Sequence, residues 1–303
     1  MKNTIIALIV VFVVGFGLYF LMKDSSPKVP APKESVTVTT TEDEEKTDGV
    51  TTVTPSKEKT VIGTSIEKRD IVAYHFGEGA TEILLIGGIH GGYSWNTALV
   101  AFEAMDYFKA NPNSIPKNIK VTVVPVLNPD GLFKVTGTAD RFAPADVSPS
   151  QVTQTAGRFN ARTVDLNRNF DCDWQPSAKW QSKAVSGGTK AFSEPESQAI
   201  RSYVEANKPS AVVVWYSAAG GVYSSSCGGG VSSVTKALTS KYAVASGYPA
   251  NESFDFYETS GDMANWFAKS SVPAVSVLLT NHTDTEWTKN KAGIEAVLTY
   301  FAK

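Results

Sequence analysis

Apolar and polar residues alternate differently in three stretches of the chain. From Thr4 to Met22 almost every residue is apolar, with Lys2 and Lys23 at the flanks. At 1.5 Å per residue a helix of that length reaches roughly 28 Å, close to the ~30 Å hydrocarbon core of a bilayer. No small-x-small cleavage site follows, and Leu18, Tyr19, Phe20 and Leu21 are bulky, so the pattern predicts an N-terminal transmembrane helix over residues 1–23. A cleaved signal sequence and a buried helix are the alternatives; either membrane reading puts the remaining chain outside the cytoplasm. Residues 24–59 ("SSPKVPAPKESVTVTTTEDEEKTDG") are rich in Pro, Ser, Thr and charge and carry no helical period, which predicts a disordered linker.

Over residues 60–303 short apolar runs alternate with helical patterns. Glu82–Ile89, Val121–Leu127, Ala211–Ser217 and Ala274–Thr280 are rich in Val, Ile and Leu and read as strands buried on both faces. Helical spacing covers Trp95–Ala110, Glu194–Ala206, Val231–Ala245, Asp262–Ser270 and Lys289–Ala302. Ser193, with Glu196 three residues on, predicts a capping box at one helix start. Alternating strands and helices indicate a single α/β domain, a mixed central sheet with helices on both faces. In such sheets sites form beyond the carboxyl ends of strands, and His90, Asn128, Tyr216 and Asn281 fall at those ends.

Composition narrows the function. The chain of 303 residues has a formal net charge of −2 and no basic stripe, so nucleic acid is not an expected partner. With 3 histidines, a histidine-rich metal site is already constrained. Cys172 and Cys227 lie in a region expected outside the cytoplasm, where a disulfide persists; two buried thiols are the alternative.

Several segments in order are similar to the zinc carboxypeptidase family (carboxypeptidase A-like metallopeptidases), in its bacterial branch: "GGIHGGYSWNT" (Gly87–Thr97), "VLNPDG" (Val126–Gly131), "GRFNARTVDLNRNFDCDW" (Gly157–Trp174), "FSEPES" (Phe192–Ser197), "WYSAAGGVYSSSC" (Trp215–Cys227), "FYETSGDMANW" (Phe256–Trp266) and "VPAVSVLLTNHTDTEW" (Val272–Trp287). The resemblance spans about Ile62 to Tyr300 and implies the carboxypeptidase A-like fold. It also implies a zinc ion held by two histidines and a glutamate, with water in the open position and a second glutamate as the base. Arginines and an asparagine would grip the substrate's terminal carboxylate. Asn167 and Arg168 match that grip, Arg158 matches the arginine that polarises the scissile carbonyl, and Tyr257 matches a mobile tyrosine that closes over the substrate.

The resemblance breaks at the metal. Ser94 stands four residues after His90, in the place of the glutamate ligand, and Tyr93 fills the place three residues on. Tyr216 takes the place of the second histidine and Leu278 that of the base, which leaves His90 as the sole surviving family ligand. His75 reads as a structural histidine of the first strand pair. His282 with Asp284 and Glu286 offers a relocated metal site, and His90 with Ser94 a nucleophilic pair that no G-x-S-x-G elbow supports.

The expectation is therefore a catalytically inactive, carboxypeptidase-like domain, tethered to the cell membrane by one helix and facing outward, or secreted if the N-terminus is cleaved. Its partner would be the C-terminal carboxylate of peptides or cell-wall peptides, with no cofactor. The alternative is an active zinc metallocarboxypeptidase with an unorthodox site, in which zinc would be the cofactor; a scaffold whose cleft no longer matters is a third reading.

Overall fold

The computed structural model describes residues 58–303. Chain contacts divide the protein into Met1–Thr52 and Val53–Lys303. The expected membrane helix at 1–23 and the linker up to residue 57 lie outside the described residues; among those described, no helix is long and apolar enough to cross a membrane.

Ten strands and seven helices build the described unit. The strands are β1 (Lys59–Thr64), β2 (Asp70–Phe76), β3 (Thr81–Ile86), β4 (Ile119–Val124), β5 (Ser177–Trp180), β6 (Lys183–Ser186), β7 (Ala211–Ser217), β8 (Gly221–Ser224), β9 (Ala250–Asn251) and β10 (Ala274–Leu279). The helices are α1 (Trp95–Ala110), α2 (Pro129–Thr136), α3 (Gln151–Ala156), α4 (Pro195–Asn207), α5 (Ser233–Ser246), α6 (Met263–Lys269) and α7 (Trp287–Phe301). Eight strands form one mixed sheet in the order β1-β2-β4-β3-β7-β10-β8-β9. Its centre, β4-β3-β7-β10, is parallel, while β2 and β8 join it antiparallel. Strands β5 and β6 form a separate hairpin.

Side-chain alternation along the central strands produces two cores. Ile83, Leu85, Val213 and Trp215 pack with Phe108, Leu238, Tyr242 and Ile294 from α1, α5 and α7. Leu84, Ile86, Val212, Val214, Tyr216 and Leu278 face the other way, toward Ile200 and Val204 of α4 and Phe267 of α6. Because both faces are covered, these strands read as continuous apolar runs in the sequence.

Several boundaries differ from the sequence pattern. β1 begins at Lys59, inside the stretch assigned to the linker, because Lys59 pairs with Tyr74. β3 stops at Ile86 rather than Ile89, since Gly88 turns the chain at φ +63, and β4 stops at Val124, before Pro125, which has no N–H to donate. The cap expected at Ser193 is not formed. Glu194 is the N-cap and Pro195 opens α4, its fixed φ suited to a first turn. Ser193 Oγ donates to Glu194 Oε1, and Glu196 is buried, accepting from Ile66 N and Asn160 Nδ2.

Candidate functional site

The central parallel strands deliver their carboxyl ends to one edge of the sheet. After β3 the chain turns through Gly91, at φ +42, where a Cβ would meet Gly131 C and Gly157 O at 2.7 Å. Only glycine allows that approach, and it seats His90 at the edge before α1 begins. β7 brings Tyr216 and β10 brings Leu278, paired directly across the ladder. The loop between α3 and β5 contributes Arg158, Asp165, Asn167 and Arg168, and the segment before α6 contributes Tyr257 and Asp262.

A cavity of about 830 Å³ joins these groups. His90, Arg158, Asn167, Arg168, Tyr216, Tyr257 and Leu278 all line it, as do Tyr93, Trp180, Asp262 and His282. Ser94 does not line it; it is wholly buried at the N-cap of α1, and its Oγ has no partner among the described residues. His75 lies away from the cavity, held by Thr60 and Thr122 hydroxyls. Cys172 and Cys227 form a disulfide, tying the arginine loop to the segment after β8.

The arginines are buried and fixed. Arg158 is 2% exposed; its Nε and Nη2 reach Asp165 Oδ2 at 2.9 and 2.8 Å, and its Cζ lies 4.4 Å from the centre of the Trp180 ring. Burial favours a neutral Asp165, but the guanidinium groups of Arg158 and Arg168 outweigh it and hold the carboxyl below its ordinary value. Arg168 donates from Nε to Lys179 O at 2.8 Å and from Nη1 to Asn167 O at 2.6 Å. Arg158 Nη1 and Arg168 Nη2 are left without a protein partner among the described residues. Asn167 is also held: its Nδ2 donates to Asp262 Oδ2 at 2.8 Å, and its Oδ1 accepts from Tyr216 OH and Met263 N, each at 3.1 Å. Gly261, at φ +65, allows this closeness, for a Cβ there would meet Arg168 O at 2.2 Å.

The donors around His90 do not fit zinc. A zinc site takes three or four imidazole, thiolate or carboxylate donors. His90 is 5% exposed, with no hydrogen bond to either ring nitrogen among the described residues; Nε2 is 3.7 Å from Asp165 Oδ1, and the Tyr216 ring lies 5.6 Å away. Burial and the Arg158 charge hold its imidazole neutral, well below its ordinary pKa, and burial pushes the Tyr216 phenol well above its own. Neither a protonated phenol nor Leu278 is an ordinary zinc donor. Among the described residues the one convergent set of three is Cys172, Asp173 and Cys227, whose sulfurs are bonded to each other. The His282 motif does not converge either. His282 Nδ1 meets Ser217 Oγ at 3.1 Å, while Glu286 is taken up by Thr280, Tyr248 and Lys289.

Sequence reasoning missed Asp165 and Asp262, although both stand inside quoted motifs ("DLNRNF", "SGDMANW"). For Asp165 the available signal was a carboxylate between two arginines, Arg158 and Arg168; Asp262 has no such neighbour in the sequence. It also missed Trp180, because the β5–β6 hairpin that carries it is short and has no distinct period.

A family model described as zinc carboxypeptidase matches residues 45–285. Metallocarboxypeptidase A of Trichophyton tonsurans is 32% identical over 123 residues, 37% of this chain and 27% of that protein. Carboxypeptidase O of Homo sapiens is 36% identical over 95 residues, 30% of this chain and 23% of that one, so the chain matches only about a quarter of these relatives' length. Bovine thrombin-activatable fibrinolysis inhibitor, solved in complex with tick carboxypeptidase inhibitor, superposes with a TM-score of 0.63 at 17% identity, over 81% of this chain and 88% of that one. Murein-tripeptide amidase from Escherichia coli O157 gives 0.54 at 17%, over 82% and 93%. At that identity the two structures speak for the fold alone, a carboxypeptidase A-like α/β sheet. By the extent of the sequence match, the chain belongs to the zinc carboxypeptidase family.

Proposed function

We propose that this domain binds the C-terminal carboxylate of peptides without cleaving them, and that residues 1–23 tether it to the membrane with the domain facing outward. The observation that carries the reading is one cavity in which two buried guanidinium groups keep a free N–H edge, while His90 shares the lining with a phenol and a leucine. Guanidinium N–H groups suit a carboxylate, since they donate charge-assisted hydrogen bonds in a fixed plane. Hydrolysis needs an activated water and a base, and an aliphatic side chain accepts no proton. The fold shared with a murein-tripeptide amidase, together with the outward placement, supports cell-wall peptides as one ligand class.

The test is zinc content and C-terminal residue release by the purified protein, with and without EDTA. The expected result is no stoichiometric zinc and no release. One zinc per chain with EDTA-sensitive release would overturn the reading in favour of an active metallocarboxypeptidase. The combined variant Ser94→Glu, Tyr216→His and Leu278→Glu is expected to take up zinc. A folded triple variant that binds none would show that those three places are not the metal positions.

A further inference from the structure

Tyr216 does more than fill space. It sits at the carboxyl end of β7, 5% exposed, and its hydroxyl donates to Asn167 Oδ1 at 3.1 Å. A buried phenol normally finds such a partner, but the partner here belongs to the ligand grip. The same Oδ1 accepts Met263 N at 3.1 Å, and Asn167 Nδ2 gives one hydrogen to Asp262 Oδ2 at 2.8 Å. An amide nitrogen carries two hydrogens, so one remains for a ligand in the cavity that Asn167 lines. With Oδ1 taken by two donors, the amide cannot flip, and that hydrogen keeps one direction. The backbone carbonyl of Asn167 in turn accepts from Arg168 Nη1 at 2.6 Å, so the amide and the guanidinium are set by one chain segment.

We infer that Tyr216 is a positioning residue for carboxylate recognition: its hydroxyl pins the Asn167 amide so that amide and Arg168 present their free N–H groups together. The inference rests on the carboxylate-binding reading above. It assigns Tyr216 a role a metal ligand would not have, acting on the ligand through Asn167.

The experiment compares a pool of random-sequence tetrapeptides with free C-termini against the same pool amidated, measured as competition for the full-length protein. The wild type is expected to prefer the free acid. Tyr216→Phe removes only the hydroxyl, and the preference should fall about five- to tenfold, the size of one net hydrogen bond, with a smaller loss of affinity for the amidated pool. Loss of packing alone would weaken both pools alike. Asp262→Ser is the second variant: it keeps an N-cap hydroxyl for α6, removes the other side-chain anchor of the same amide, and should lower the acid preference likewise. A folded Tyr216→Phe protein that keeps the full preference overturns the inference while leaving the binding reading intact, and if that variant does not fold, an Asp262→Ser protein that keeps it does the same. A wild type without any acid preference overturns both.

Discussion

Arg158 and Asp165 show what a single buried pair contributes at this site. Both are essentially inaccessible, and the guanidinium spends Nε and Nη2 on one carboxylate oxygen. Asp165 also accepts Asn167 N at 3.1 Å, so one carboxylate sets both the arginine and the start of the grip. Replacing Asp165 by Asn leaves a charge of almost the same shape environment without its counter-charge. Breaking a buried pair from one side costs about 3–5 kcal/mol. Asp165→Asn is thus expected to lower unfolding stability by that amount in denaturant titrations; a change under about 1 kcal/mol would mean that Arg158 finds another anion or water. At this scale the sequence was legible where a motif letter could be read against chemistry: His90, Arg158 and Arg168 all line the cavity. Asp165 and Asp262 were not picked out, because a carboxylate's role depends on a neighbour that only the fold supplies.

The elements are held to the sheet by a few polar fastenings, and Glu286 is one of the most heavily used. It occupies the N-cap place of α7 in a left-handed conformation, φ 47, and its carboxylate accepts from Thr280 N at 2.7 Å, Thr280 Oγ1 at 2.7 Å, Tyr248 OH at 2.8 Å and Lys289 Nζ at 2.9 Å. One side chain thereby joins the end of β10 to the start of α7 and to the loop after α5. Burial opposes its ionisation, but these hydrogen bonds outweigh it and bring the carboxyl down to about 2 from 4.5. Held lower in the fold than in the unfolded chain, the group binds fewer protons when folded. Its stabilisation is full above pH ~4.5 and fades as the pH falls toward ~2. Glu286→Gln should therefore be less stable than wild type at neutral pH, with the gap closing across that window; a gap that stays constant down to pH 2 would show that the charge is not the source. Lys289–Ala302 was the helix expected here, and α7 starts earlier, at Trp287, because this fastening lies in a polar stretch without apolar period. The same limit applies to Ser193. A capping box is a local pattern, whereas Asn169, which accepts Glu194 N and Ser197 Oγ, comes from a distant loop.

The described unit is built on an eight-stranded sheet with a core on each side, and its legible part was the part with the most burial. The four central strands each appeared as an apolar run, since they are covered twice. β1, β5, β6, β8 and β9 are short or lie at an edge, so no long apolar run marks them. The strand order could not be read from the pattern either, because β3 sits between β4 and β7 only through crossovers. This architecture makes a mechanical claim: the two cores share every central strand, so neither face should melt without the other. Leu238 on α5 and Ile200 on α4 are both 0% exposed and belong to opposite cores. Truncating either to Ala removes buried methyl groups and leaves a cavity, at a cost of about 2–5 kcal/mol each. With no shared partners across the sheet, the two costs should add within about 0.5 kcal/mol in the double variant. Each single variant should also shift the entire transition, with tryptophan fluorescence and far-UV circular dichroism remaining superimposable. If Leu238→Ala instead separated the two probes while Ile200→Ala did not, the α1-α5-α7 face would be a folding unit of its own. The sheet would then be a seam between two units, and the binding site, which draws Tyr216 and Leu278 from one face, would be able to outlive the loss of the other.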